Sequence, residues 1–258
     1  KAPKFPSPHI LLFLLRYYQQ TQSPQALYMV EKTLHNMRKG GIFDHIGFGF
    51  HRYSTDKSWV LPHFEKMLYD QGLLLLAYCE AFQATKKQEY AQTVQEIASY
   101  VLRELSLASG GFFCAEDADS EGEEGKYYVW DSREIDKILE PYEAKILKSA
   151  YNIRQEGNFA EEATGKKTGS NILYLSRELS EVAQADQISL AELEKIIANA
   201  RKKLLSARQN RTRPLLDDKI LTDWNGLMIA ALARSGRILN HTEYTQKARQ
   251  AADFLLEN

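Results

Sequence analysis

Helix-patterned segments come in pairs along this chain, which leaves few folds open to it. His9 to Gln20 is apolar with an aromatic tail. Ser23, with Pro24 at the first helical position, opens a second segment that runs to Lys39 and stops at Gly40–Gly41. Pro62 is predicted to open a helix that continues past Ala84, with Glu89–Leu105 as its partner. Weaker patterns cover Ser132–Leu139 and Tyr142–Tyr151, and Leu190–Ala207 is long and strongly periodic. Thr222 is expected to cap Asp223–Leu239, and Thr242 to cap Glu243–Leu256. Short links within pairs make antiparallel neighbours. They alternate with three long segments, Gly40–Leu61, Leu107–Asp131 and Asn152–Ser176. Segments of that length inside a compact domain are functional or disordered, and the Gly and aromatic content of the first two predicts order.

Strand signals are few. Gly111–Ala115 and Lys126–Trp130 flank an acidic, Gly-containing turn and suggest a β-hairpin, and Asn171–Leu175 is another short candidate. The expected class is therefore all-α, an (α/α)6 toroid of helical hairpins with small β insertions; an open solenoid has nearly the same pattern. The 258 residues are 44% hydrophobic and 26% charged, enough for a large core, and the formal net charge of −1 gives no pull toward nucleic acid or anionic lipid. The longest apolar runs, Leu11–Leu15 and Leu73–Ala77, fall far short of the roughly 20 residues a membrane span needs. Two cysteines, Cys79 and Cys114, are too few for a disulfide framework or a closed zinc site, so a cytoplasmic, reduced compartment is expected. No P-loop, GxGxxG, GxSxG or HExxH motif is present, and no metal or cofactor is expected.

Four stretches carry a resemblance. They are Ala2–Pro8 (APKFPSP), Gly47–Leu75 (GFGFHRYSTDKSWVLPHFEKMLYDQGLLL), Gly110–Trp130 (GGFFCAEDADSEGEEGKYYVW) and Arg213–Ala233 (RPLLDDKILTDWNGLMIAALA). Together, and in this order, they resemble the spermatogenesis-associated protein 20 family and its bacterial relatives, thioredoxin-domain proteins of poorly defined activity. The resemblance implies an N-terminal thioredoxin-like domain followed by an (α/α)6 region similar to six-hairpin glycosidases and N-acylglucosamine 2-epimerases. Here neither a CxxC nor a βαβ start is present, and the chain begins at Lys1. Residues 1–258 are thus expected to be the front part of the toroid, without the thioredoxin-like domain and without the later helices of a longer parent chain.

The chemistry-bearing residues concentrate in three places. In the first, Asp44, His51, Arg52, Tyr53 and Trp59 precede the helix expected at Pro62. His63 and Glu65 would fall in its first turn, with His63, Lys66 and Asp70 on one face. A histidine there would stay neutral and able to accept a proton. In the second, Glu116 and Asp117 open an acidic hairpin whose Asp117-x-Asp119-x-Glu121-Gly122 matches half an EF-hand loop, but Tyr128 stands where the twelfth-position acid is needed. In the third, Asp217, Asp218 and Lys219 precede Trp224 and Asn225. Carboxylates accept bidentate bonds from vicinal hydroxyls, and aromatic faces cover the apolar side of a pyranose. The catalytic candidates are His51, His63, Asp217 and Asp218; the candidates for binding are Asp44, Arg52, Tyr53, Trp59, Glu65, Asp70, Glu116, Asp117, Lys219, Trp224 and Asn225. The expected ligand is a sugar or sugar-like molecule, undergoing epimerisation between two histidines or hydrolysis between two carboxylates. A non-catalytic protein- or peptide-binding module attached to a thioredoxin-like domain is the alternative.

Overall fold

The computed structural model describes residues 2–160 and 167–258; part of the long segment 152–176 therefore lies outside the described residues. Ten α-helices are described: α1 Pro8–Thr21, α2 Pro24–Lys39, α3 Leu68–Thr85, α4 Gln88–Tyr100, α5 Ser132–Ile138, α6 Pro141–Ala150, α7 Leu179–Ala185, α8 Leu190–Arg208, α9 Thr222–Ile238 and α10 Thr242–Glu257. The hairpins α1–α2, α3–α4 and α9–α10 stand side by side, with α1 and α9 flanking α3. This gives an inner row of α1, α3 and α9 and an outer row of α2, α4 and α10, the α/α toroid arrangement. Helix α3 reads LYDQGLLLLAYCEAFQAT and is apolar almost all round, as a helix with neighbours on every side must be. Gly72 of α3 faces α9, where a Cβ would be in ordinary contact, 3.4 Å from the Leu227 and Met228 backbone. A second core gathers α5 to α8 around Trp130, Ile135, Leu147, Leu193 and Ile197. No described helix is long and apolar enough to cross a membrane.

The strands are two residues long and tie the long segments together. β1 (Tyr53–Ser54) pairs with β2 (Pro62–His63). β3 (Lys66–Met67), β4 (Ala115–Glu116) and β9 (Leu216–Asp217) form an antiparallel sheet in that order, with Lys66 opposite Glu116 and Ala115 opposite Asp217. β5 (Asp119–Ser120) and β6 (Glu123–Glu124) make a tight hairpin, and β7 (Trp130–Asp131) pairs with β8 (Ser170–Asn171).

Several sequence expectations need correction. The helix expected from Pro62 begins at Leu68, because pairing elsewhere claims the preceding backbone: the Glu65 carbonyl accepts from Arg52 N and the Cys114 carbonyl from Leu68 N, 2.8 and 2.9 Å. The hairpin expected between Gly111–Ala115 and Lys126–Trp130 does not form. Its turn closes tighter, at Glu121 and Gly122, both with positive φ as a primed turn requires. Helix α4 ends at Tyr100 and passes into a π-helical turn, Val101–Leu105. Ser23 precedes α2 without a side-chain capping bond, and Thr222 and Thr242 are first residues of their helices rather than caps. Helix α7 has no counterpart among the sequence expectations.

Candidate functional site

Asp44 lies at the centre of a buried charge cluster. Its Oδ1 accepts from Ile46 N and Gly47 N, both at 3.0 Å, and Arg208 donates to both oxygens at 2.9 and 2.8 Å. Lys66 Nζ donates to Asp44 Oδ2 at 2.8 Å and to the Phe48 carbonyl at 2.9 Å, and lies over the rings of Tyr100 and Tyr128. A Cβ on Gly47 would sit 1.8 Å from Arg208 Nη2, so only glycine lets the guanidinium reach. Glu116, opposite Lys66 across the sheet, accepts from the Tyr100 hydroxyl at 3.0 Å. Burial pushes the Asp44 carboxyl up, but Arg208 and Lys66 more than reverse this and hold it well below the usual carboxylate range. His51 is only 2% exposed. Its Nδ1 donates to the Phe64 carbonyl at 2.8 Å, and burial, with Lys66 nearby, drives its pKa well below the ordinary histidine value. The cluster joins the 40–67 loop, β4 and the end of α8, and each charge in it is paired: it is a strut.

A second cluster faces outward from β1, β2 and the start of α3. Arg52 Nη1 donates to Glu65 Oε2 at 2.7 Å, and His63 Nε2 lies 3.6 Å from the same oxygen. His63 Nδ1 is 2.7 Å from Glu124 Oε1, and its ring stacks on Tyr53 at 4.9 Å. Next to Arg52, Tyr69 meets the ring of Trp224 edge-on at 4.8 Å. Asp70 lies in the first turn of α3, with its Oδ2 buried and, among the described residues, without a hydrogen-bond partner. Burial raises its pKa to about 7, against the pull of Arg52 and Tyr69 and with Glu65 adding to the rise. A carboxyl half-protonated near neutrality can both give and take a proton.

The remaining sequence candidates are elsewhere. His63 belongs to β2, not to a helix N-terminus, so no dipole acts on it and it shares no helix face with Lys66 and Asp70. Trp59 is buried at φ +66°, its carbonyl accepting from Ile42 N at 3.1 Å and Lys4 over its ring. Asn225 is fully buried and clamps the Phe112 backbone: Oδ1 accepts from Phe112 N at 2.8 Å and Nδ2 donates to Phe112 O at 2.9 Å. Asp217 pairs with Lys219 at 2.6 Å on the surface, and Lys219 holds its pKa below the ordinary value; Asp218 is exposed. Asp117 is exposed and accepts from Asp119 N at 3.1 Å. Sequence reading missed Tyr69 as a site residue. It also missed Arg208, which carries no local signal: it sits in the last turn of a periodic helix, 164 positions from its partner.

No family model matches the chain. Human spermatogenesis-associated protein 20 is 39% identical over 276 residues, covering 99% of this chain and 35% of its own length, and the mouse protein gives the same figures. An uncharacterized protein of Caenorhabditis elegans is 34% identical over 99% of this chain and 38% of its own length. Among solved structures, a sugar epimerase from a ruminal bacterium aligns at TM-score 0.39 and 12% identity, over 97% of this chain and 74% of that one. A GH76 α-mannanase of Bacteroides thetaiotaomicron aligns at TM-score 0.41 and 14% identity, over 99% and 58%. By sequence the chain belongs to the spermatogenesis-associated protein 20 family, and it spans little more than a third of the length of the curated relatives it matches.

Proposed function

We propose that the outward face built by Arg52, Tyr53, His63, Glu65, Tyr69, Asp70 and Trp224 binds a sugar or sugar-like polyol and performs acid–base chemistry on it. The observation that carries this reading is Asp70, a buried carboxyl with an oxygen unpartnered among the described residues and a pKa of about 7. A buried carboxylate oxygen left open costs stability, which is a usual condition of a working acid or base. Around it, Arg52 and Glu65 offer a donor fork and an acceptor for vicinal hydroxyls. Tyr53, Tyr69 and Trp224 offer rings for the apolar face of a pyranose. In this reading Asp70 takes the role expected of His51, which is sealed behind Phe64 and Tyr128. His63 remains as the second proton-transfer group. Epimerisation would use Asp70 and His63 on opposite faces of the sugar; hydrolysis would use Asp70 as acid and Glu65 as second carboxylate.

The test is a thermal-shift screen of the folded chain against mono- and disaccharides, sugar phosphates and N-acylated sugars. The expected result is a concentration-dependent rise confined to one stereochemical class. Asp70→Asn should keep binding within about tenfold while turnover falls about 10²- to 10⁴-fold. A flat panel with folded protein overturns the reading in favour of a non-catalytic protein-binding module.

A further inference from the structure

Away from that face, α2, α4 and α8 enclose a cavity of about 530 Å³. That volume lies within the range of small-molecule sites. None of these three helices supplies a residue to the Asp70 face, so a ligand held here is independent of the carbohydrate reading. Leu175, Leu179 and Leu190 offer it apolar surface, over a floor of the buried Tyr90 of α4 and Ile197 of α8. Arg38 and Arg201 line it too. Their side chains are 20% and 17% exposed.

Among the described residues the two guanidiniums are short of counter-charge. Arg38 Nη2 donates to Glu96 Oε2 at 2.7 Å, and Arg201 Nη1 stands 3.6 Å from the other oxygen of the same carboxylate. Gln92 Nε2 donates a further bond to that oxygen, at 3.1 Å. Arg201 Nη2 reaches only the Tyr151 hydroxyl, at 3.3 Å, and its Nε has no partner among the described residues. The neighbouring polar group, His45, supplies no negative charge. It lies 3.3 Å from Arg38, and burial, then Arg38 and Arg201, hold its pKa well below the ordinary value. One carboxylate thus serves two arginines, and one positive charge remains over in a half-enclosed, low-dielectric place. At the mouth the balance differs. His35 and Lys39 both lie on Glu178, and Glu89 and Glu194 are exposed. Glu194 is two helical turns, about 10 Å, along α8 from Arg201.

We propose that this cavity binds a small organic acid, its single carboxylate seated between Arg38 and Arg201 and its apolar or aromatic body against Leu175, Leu179 and Leu190. A carboxylate supplies the fork geometry that guanidinium matches and the missing negative charge. The glutamates at the mouth disfavour polyanions such as nucleotides.

Isothermal titration of the folded chain with phenylacetate, hexanoate and indole-3-acetate, each against its neutral amide, tests this. At least one acid should bind, with its amide at least tenfold weaker. Arg201→Gln should weaken that acid about 10- to 100-fold. Ala198→Trp, at an exposed position lining the cavity, should abolish binding by filling the space in a protein that still melts cooperatively. Asp70→Asn should change nothing. The proposal is overturned if none of the three acids binds at millimolar concentration, if the amide binds as well as the acid, if Ala198→Trp leaves the affinity unchanged, or if ATP competes better than the acids.

Discussion

Asp44 and Asp70 come from the same stretch of sequence and are equally buried, each 6% exposed. Their chemistry is opposite. Asp44 accepts two backbone N–H groups, Lys66 and a bidentate Arg208, and is held well below the usual carboxylate range. Asp70 has a buried oxygen with no partner among the described residues and is pushed up to about 7. Burial is therefore not what separates a structural carboxylate from a candidate functional one. The separation lies in whether the fold completes the group's partners. Where it does, the charge stabilises only when all members are present. Where it leaves an oxygen open, the group is free to act on something else.

The largest expected effect comes from removing the complete one. Asp44→Ala leaves Lys66 and Arg208 buried without their anion, and should cost about 3–5 kcal/mol in urea unfolding. A loss under about 1 kcal/mol would show that the cluster is not a strut. The pH dependence follows from the sign of the shift. Asp44 has a folded pKa below its unfolded one, so its contribution is present above about pH 4 and is lost as the pH falls through the folded value. His45 and His51, both lowered by burial, make the chain lose stability earlier, as the pH falls below about 6.5.

The incomplete carboxylate should behave in the reverse sense. The Asp70 pKa rises from 3.8 to about 7, so the folded chain is penalised above neutrality and relieved as the pH falls toward 4. Asp70→Asn should raise stability at pH 8, with an upper limit of about 4 kcal/mol, and change it little at pH 4. Denaturation curves at both values check this. Equal effects at both would mean that Asp70 is an ordinary, hydrated carboxylate, and the contrast with Asp44 would fail. A gain in stability with a loss of turnover is the trade expected of a working site.

The helix pairs were legible because a 3.6-residue apolar period survives without knowledge of partners, as in α2 and α8. The start of α3 was not. Pro62 is a sound first-turn signal, but the backbone from 62 to 68 is claimed by Arg52, Tyr53 and Cys114 across long sequence separations. Tertiary pairing overrides local preference there. The same limit applies to the site. Asp44, Asp70, Arg52 and Glu65 stood out as charged residues in and beside a Gly-rich loop. Nothing in the sequence tells Asp44 from Asp70, because the difference is made by Arg208, 164 positions away from Asp44. Asn225 and Trp59 were read as binding residues because amide and indole groups serve both ends; only their burial assigns them to the scaffold.

The smallest expected effect tests the same contrast on the two histidines. His51 is sealed in the charge cluster, whereas His63 lies on the outward face, its side chain 25% exposed and paired with the half-exposed Glu124. Such a pair is worth about 0.2–1 kcal/mol, so His63→Ala should leave urea unfolding within about 1 kcal/mol of the native chain. If the outward face is the sugar site, the same variant should flatten the sugar-dependent thermal shift. A large loss of stability would instead place His63 with His51 among the struts. The outward face would then retain Asp70 but lose its second proton-transfer group, and hydrolysis by Asp70 and Glu65 would become the form of acid–base chemistry to test.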